Sequence, residues 1–466
     1  MASLRSALAS IVGDAHVLVD DDVRAGYETD WTGRYMGRSS MVVRPATTDE
    51  VAAVVRHCDE HAIAIVPQGG NTGLVGAGVP RAQSTRPTIV LSMRRLDAVG
   101  GVDVDALQVT TGAGVTIAGW RATARAVGLD IPIDFAARDS ATIGGAIATN
   151  AGGSRVLRYG TMRRQVVGVE AVLADGSVVG SLAGLPKETV GIHWPSLVSG
   201  SEGTMAIVTA ARLRLVPLFE HVVTAMVSMA TIDDAVTLVG LMRQRLGSLD
   251  AVEIVQQGAL DLVAAHLGTA PPIEPSASGT TVLVECADHS DPTTDLAAVL
   301  ASAPGVLDSA VAIDPVQRAH LVQFRDRITD AISAAAAATG VPTYKLDVAV
   351  PIRALGELLD VAERAAASDA AQLVAFGHLA EGNLHLNYLR TTTPSKIADT
   401  VLGAVARLGG TISAEHGVGV AKTSWMHLVR TAADLDAQRA VRRALDPNRI
   451  LNPGVLEPVT PTAQVP

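Results

Sequence analysis

The sequence predicts a two-domain α+β protein, on three observations. The chain has 466 residues, room for two or three domains at roughly 150 residues each. Hydrophobic residues make up 48% and charged residues 18%, which suits a chain that buries a sizeable core. The texture also changes near Pro217: short apolar strands broken by glycine-rich loops give way to longer helical stretches.

The elements follow in order. Thr47 and Glu50 form a capping-box signature, with Val51, Val54, Val55 and Cys58 spaced as one buried helix face. A short strand over 63–66 is expected to stop at Pro67, followed by a glycine-rich loop over 67–78. Strands over 166–173 and 177–179 flank Asp175-Gly176, a hairpin signal. A strand over 206–216 ends at Pro217. Helices are expected over 232–246, 294–303, 316–338 and 351–368, with a loop over 269–278.

Composition excludes several classes. Lys plus Arg is 37 and Asp plus Glu 47, a net charge of −10, so no nucleic acid is expected as a partner. Aromatics, at 3%, are too sparse for base-stacking platforms. Cys58 and Cys286 cannot hold an iron–sulfur cluster, which wants about four thiolates, and they read as reduced core thiols. No run approaches the ~18 apolar residues of a membrane span, and residues 1–15 lack the apolar core of a signal peptide. The expectation is an acidic, cytoplasmic protein without an integral membrane segment.

Three constellations carry chemistry. The loop from Pro67 to Gly78 lacks the Gly-Lys-Ser/Thr of a Walker loop and the spacing of a Rossmann fingerprint. Alone it suits a tight turn as well as a phosphate site. Two further small-residue clusters, Asp139–Gly153 and Gly200–Thr204, point to a long, flat, phosphate-bearing ligand enclosed by backbone.

The second is Gly377–Asn387. With a two-residue turn at Glu381-Gly382, His378 faces His385 across a hairpin and Asn387 shares their face. Such a pair suits either one metal ion or two polar core histidines. In Ser413–Gly419, Glu415 would add a carboxylate, and two histidines plus a carboxylate leave an open position for substrate. The third is cationic: Arg325 and Thr329, one turn apart on a helix, and Lys345 on a strand. Surface ion pairs account for most such residues, so that reading stays open here.

Seven blocks in order carry a resemblance: PQGGNTG (67–73), ATIGGAIATNAGG (141–153), LRYG (157–160), GSEGT (200–204), GHLAEGNLHLN (377–387), SAEHGVG (413–419) and LDPNRILNP (445–453). From about Asp30 to Leu456 the chain resembles the FAD-dependent D-2-hydroxy-acid dehydrogenases of the vanillyl-alcohol oxidase/p-cresol methylhydroxylase superfamily, most closely those acting on D-2-hydroxyglutarate. The resemblance implies a flavoprotein whose FAD-binding domain, of the vanillyl-alcohol oxidase type, covers 1–217 and is joined by 418–466. An α+β substrate (cap) domain with a metal site covers 218–417. FAD would contact Pro67, Gln68, Gly69, Gly70, Asn71, Thr72 and Gly73 in the first loop. Pro132, Asp134, Ser140, Gly144, Gly145, Thr149, Asn150 and Gly153 would follow, then Tyr159, Gly160, Glu202, Gly203, Ile207 and Asn452. Residues 67–78 contain no histidine, so non-covalent FAD is expected where several superfamily members attach it through one.

The resemblance casts His378, His385 and Glu415 as ligands of a divalent metal; the set suits zinc, though manganese or iron would bind it. His416 becomes the catalytic base on the substrate's C2 hydroxyl, with hydride passing to flavin N5. Arg325, Thr329 and Lys345 would hold the far carboxylate and Asn387 the near one. D-lactate or glycolate are alternative substrates of the same machinery. Electrons would leave to an external acceptor such as electron-transfer flavoprotein, a quinone or a cytochrome; a homodimer is one option for assembly. Three departures stand out: Ala380-Glu381 for the family's Gly-Asp is a mild change at the turn, while Val322 for a common Trp and Thr189–His193 for Asn-Thr-Gly-Tyr-Asp bear on pocket shape and substrate length.

Overall fold

In the computed structural model, residues 2–457 are described, apart from 83 and 85. The chain forms two compact units: one of Met1–Gly152, Tyr159–Leu218 and Glu415–Pro466, the other of Gly153–Arg158 and Phe219–Ala414.

The first unit holds two main sheets. One has four strands in the order Val17–Leu18, Met41–Val43, Thr88–Ser92, Ala64–Gln68, and the last three run parallel. Its core is closed by the helix Thr48–Glu60, which buries Val51, Val54, Val55 and Cys58. Thr47 caps that helix by accepting from Glu50 N–H at 3.1 Å. The Glu50 carboxylate, however, reaches past Thr47 to the Ala46 N–H at 2.7 Å, so the reciprocal box is shifted by one residue. Pro67 does not stop the strand: Ala64–Gln68 runs through it. A proline lacks an N–H to donate and is tolerated at a sheet margin; this strand is the last in its order.

The other main sheet is antiparallel, in the order Val99–Asp103, Gln108–Gly112, Ile207–Arg214, Val166–Val172, Val178–Ser181. Gly176, at φ +80°, makes the expected hairpin turn, and Asp175 accepts from Ser177 N–H at 2.8 Å. Trp120, fully buried, anchors its core. Both cysteines are buried and free; burial pushes the Cys58 thiol up to about 12.

The second unit is built on a seven-stranded sheet. Four of its strands carry the chemistry: β1 (Leu249–Gln256), β2 (Tyr344–Ala349), β3 (Gln372–His378) and β4 (Asn383–Leu389). They lie side by side in the order β1-β3-β4-β2, with every neighbouring pair antiparallel. Side chains alternate between the two faces of a strand. Ile254, Leu346, Val348, Leu384 and Leu386 occupy one face and are almost fully buried. The other face takes Glu253, Asp347, His378, His385 and Asn387. Its apolar remainder, Val255, Val374 and Phe376, packs in one cluster with Leu260, Phe324 and Ile328.

The expected helix over 316–338 is two helices, Pro315–Asp326 and Ile328–Thr339. Arg327 separates them at φ −89°, ψ 2°, so Arg325 and Thr329 do not share one unbroken helix face.

Candidate active site

Within the first unit, the glycine clusters pack directly on one another. A Cβ on Gly69 would fall on Thr142 Oγ1, and one on Gly70 would fall on the Ser140 carbonyl. A Cβ on Gly144 would lie 2.8 Å from Ala113 Cβ, and one on Gly203 2.6 Å from Pro67 Cγ. Glycine is needed here for close approach, at Gly70 to main chain and at Gly69, Gly144 and Gly203 to a neighbouring side chain. Thr142, 2% exposed, has a hydroxyl without a hydrogen-bond partner. A buried hydroxyl left unpaired costs free energy, and this one sits within the contact made by Gly69. A backbone cradle with an unmatched hydroxyl fits the phosphate portion of FAD.

Several side chains expected to touch the cofactor are committed to the cradle itself. Gln68 donates to Tyr27 and Gly78 carbonyls at 2.8 and 2.7 Å, and Asn71, at φ +56°, donates to the Thr29 carbonyl at 2.8 Å. Asn150 Oδ1 accepts from Arg163 N–H at 2.9 Å, and Asp134 pairs with Arg121 and Arg138, both at 2.9 Å. Asn452 donates to the Ala77 and Glu202 carbonyls at 3.0 and 2.7 Å. Thr149 Oγ1 donates within its helix to the Gly145 carbonyl at 3.0 Å. Tyr159 and Gly160 offer their carbonyls to Gln165. Pro132 is buried and Ile207 is a core residue.

Glu202 is the most heavily engaged. Its two carboxylate oxygens accept from Val418 N–H and Gly419 N–H, both at 2.8 Å. Burial pushes its carboxyl up to about 7, against the pull of those two amides. A Cβ on Gly417 would lie 3.0 Å from that carboxylate. The loop bearing Glu415 and His416 is thus clamped just past His416. Glu415 itself packs on Gly152: a Cβ there would be 2.5 Å from Glu415 Oε1. Gly153 begins the short segment that belongs to the second unit, where Arg155 and Asp250 pair at 2.9 Å.

In the second unit the histidines do meet, in a different register. The two-residue turn is replaced by a tight helical turn at Leu379–Glu381 followed by Gly382 at φ +68°. His378 lies opposite Asn383, and His385 opposite Phe376. The slip amounts to two residues, and a slip of two keeps each side chain on its face. The rings still approach, with centroids 5.3 Å apart and planes at 85°. His378 and His385 are 4% and 8% exposed.

Each histidine has a buried carboxylate near its Nδ1. His378 Nδ1 meets Glu253 Oε1 at 2.6 Å, and His385 Nδ1 lies 3.4 Å from Asp347 Oδ1. Asp347 also accepts from Asn383 Nδ2 at 2.9 Å and from Ala414 N–H at 3.1 Å. The hydrogen bond to Glu253 fixes the His378 tautomer and leaves its Nε2 as the basic nitrogen, the usual outer shell of a metal-ligating histidine, whereas Asp347 lies near His385 Nδ1 without hydrogen-bonding it. The donor set therefore fits a divalent metal such as zinc.

Glu253 was not apparent from the sequence. Its second oxygen holds Arg325 Nε at 2.6 Å, while the guanidinium stacks over Phe376, 4.7 Å from the ring centroid. Burial alone would raise the Glu253 carboxyl, but His378 and Arg325 outweigh it and hold it below its ordinary value. The available signal was a glutamate and an aspartate inside an otherwise apolar strand, LDAVEIVQ. Glu381, at the turn, is pushed up by burial to about 7.

Lys345 lies opposite Asn387 on β2 and β4. Thr329 is half-buried in the first turn of its helix. Asn387 Nδ2 donates to the Val374 and His385 carbonyls at 3.2 and 3.3 Å.

Comparison with known proteins agrees with this picture. Residues 39–181 match an FAD binding domain and residues 218–456 match the C-terminal domain of FAD linked oxidases. D-2-hydroxyglutarate dehydrogenase of Xanthomonas citri pv. viticola is 33% identical over 92% of this chain and 92% of its own. The mitochondrial D-2-hydroxyglutarate dehydrogenase of Bos taurus is 34% identical over 94% of this chain and 80% of its own. A substrate-bound p-cresol methylhydroxylase has the same fold, with a TM-score of 0.75 at 18% identity, covering 97% of this chain and 96% of that one. Among the described residues, no helix is long and apolar enough to cross a membrane. The chain belongs to the FAD-linked oxidases, and it is an FAD-dependent dehydrogenase.

Proposed function

We propose that this enzyme oxidises a D-2-hydroxy acid to the 2-oxo acid, with D-2-hydroxyglutarate as the substrate and 2-oxoglutarate as the product. One observation carries the reading: two histidines, one hydrogen-bonded to Glu253 and the other beside Asp347, share a sheet face with Asn387 and Lys345, and Arg325 is tied to the same cluster through Glu253. A paired-histidine centre beside fixed cations suits a small substrate that is both hydroxylated and anionic. The names of the two relatives support the choice of a five-carbon diacid.

His378 and His385, with Glu415 as third ligand, would hold the metal, which when bound supplies Lewis acidity toward the hydroxyl and near carboxylate. FAD, bound without a covalent link in the glycine cradle, supplies the acceptor for the C2 hydride. His416 takes the proton from the C2 hydroxyl, and a neutral imidazole is a competent base near pH 7. Arg325 presents its Nη groups to the far carboxylate, since its Nε is already used by Glu253; Lys345 and Thr329 complete that end. Asn387, on the same face as the histidines, would donate to the near carboxylate. Electrons then leave to an external carrier, for which electron-transfer flavoprotein, a quinone and a cytochrome remain the candidates.

The test is an anaerobic panel of D- and L-2-hydroxy acids with the flavin absorbance followed in time. D-2-hydroxyglutarate should bleach the flavin fastest and the L-enantiomers should leave it yellow. Bleaching by no D-2-hydroxy acid would overturn the proposal.

A further inference from the structure

We propose that Glu253 is a positioning residue that links metal binding to the diacid-binding arginine. The inference rests on the metal and substrate roles just proposed for His378 and Arg325.

The geometry is that of a two-ended clamp. Glu253 lies on β1, opposite His378 on β3, and is 6% exposed. One oxygen takes His378 Nδ1 and the other takes Arg325 Nε, each at 2.6 Å. These are short, charge-assisted contacts, which are stronger than neutral hydrogen bonds. Because His378 donates from Nδ1, its Nε2 lone pair is the one offered to a metal. Because Arg325 donates from Nε, the end-on fork of Nη1 and Nη2 stays available for a carboxylate. Phe376, stacked on the guanidinium, restricts the swing of the fork.

A carboxylate shared in this way couples its partners. Each partner draws on the same negative charge, so the hold on His378 depends on whether Arg325 is present. With Arg325 gone, the whole charge of Glu253 acts on His378 and makes Nε2 a better donor to the metal. A residue that only filled space would leave metal affinity independent of Arg325.

The experiment measures Zn2+ affinity of the flavin-loaded enzyme by competition with a chelator, for wild type, Glu253→Gln, Arg325→Met and the double variant. Glu253→Gln should weaken Zn2+ by about 10- to 100-fold, the usual cost of losing an outer-shell partner. Arg325→Met should tighten it several-fold in the wild-type background and leave it unchanged in the Glu253→Gln background. Glu253→Asp, which keeps the charge but withdraws it by one methylene, should recover part of the loss. Unchanged Zn2+ affinity in Arg325→Met overturns the linkage, and a Glu253→Gln value within about twofold of wild type overturns the positioning role. Should Glu253→Gln fail to fold, seen as lost flavin and a lost melting transition, the Arg325→Met arm decides alone. The parent reading fails separately: wild type without stoichiometric metal, or metal that survives His385→Ala, refutes the metal site before Glu253 is touched.

Discussion

In the first unit the surface offered to a ligand is main chain: Gly69, Gly70 and Gly144 leave no room for a Cβ against Thr142, Ser140 and Ala113, and the side chains of Gln68, Asn71 and Asn452 brace it. In the second unit it is side chains: His378, His385 and Arg325 stand on or over one face of a sheet, each held by a buried carboxylate or an aromatic ring. A site made of backbone tolerates changes of side chain but not the addition of a Cβ. A site made of side chains has the reverse sensitivity. It survives a two-residue slip in register, yet each group fails when its partner is removed. The two units should therefore break in different ways.

The largest expected effect comes from His385→Ala. It should abolish metal binding and lower turnover by several kcal/mol in the barrier, at least ~100-fold. The protein should stay yellow, because the glycine cradle belongs to the other unit; elemental analysis beside an absorption spectrum checks both. Loss of flavin along with the metal would mean that the two units are not separable in this sense.

Next is a pH effect confined to the first unit. Burial lifts the Glu202 carboxyl from 4.5 to about 7, and a raised folded value means that protonation favours the folded state. That contribution is present below about pH 4.5 and disappears as the pH rises toward 7. It amounts to something on the order of 3 kcal/mol. Melting temperatures of wild type and Glu202→Gln between pH 4.5 and 7.5 should show an extra downward slope in wild type alone. Parallel curves would remove Glu202 from the account.

Arg325→Met addresses specificity in the side-chain site. A charge-assisted contact to the far carboxylate is worth about 1.5–3 kcal/mol, or roughly 10- to 150-fold in kcat/KM. The loss should fall on D-2-hydroxyglutarate and spare D-lactate, whose methyl group cannot use the arginine. Steady-state kinetics on both acids give the ratio, and equal losses would make the arginine structural. His416→Ala should instead harm both substrates alike.

The smallest effect sharpens the backbone half. Gly144→Ala places a methyl 2.8 Å from Ala113 Cβ, an overpacking cost of about 1–3 kcal/mol. Flavin occupancy and melting temperature should fall together, while metal content per folded chain should hold. Acid or heat denaturation of the wild type should release all the flavin and leave a colourless pellet, since no histidine stands in residues 67–78.

What the sequence determined by itself is local in origin. The glycine runs marked backbone left open to the close approach of a ligand, because only a residue without a Cβ permits that approach. The alternation in Gly377–Asn387 put both histidines on one face, because strand side chains repeat every two residues whatever the turn does. The same logic misplaced the turn: Glu381-Gly382 resembles a hairpin pair, but burial of Leu379 and Ala380 draws the chain into a helical turn instead. Tertiary structure alone decided the rest. Glu253 meets Arg325 from 72 residues away and His378 from 125, and Glu202 reaches Val418 across 216. No periodicity spans such distances. A buried charge must find a partner or forfeit its solvation. Only the packing of distant strands and loops buries Glu253 and Glu202 and chooses their partners.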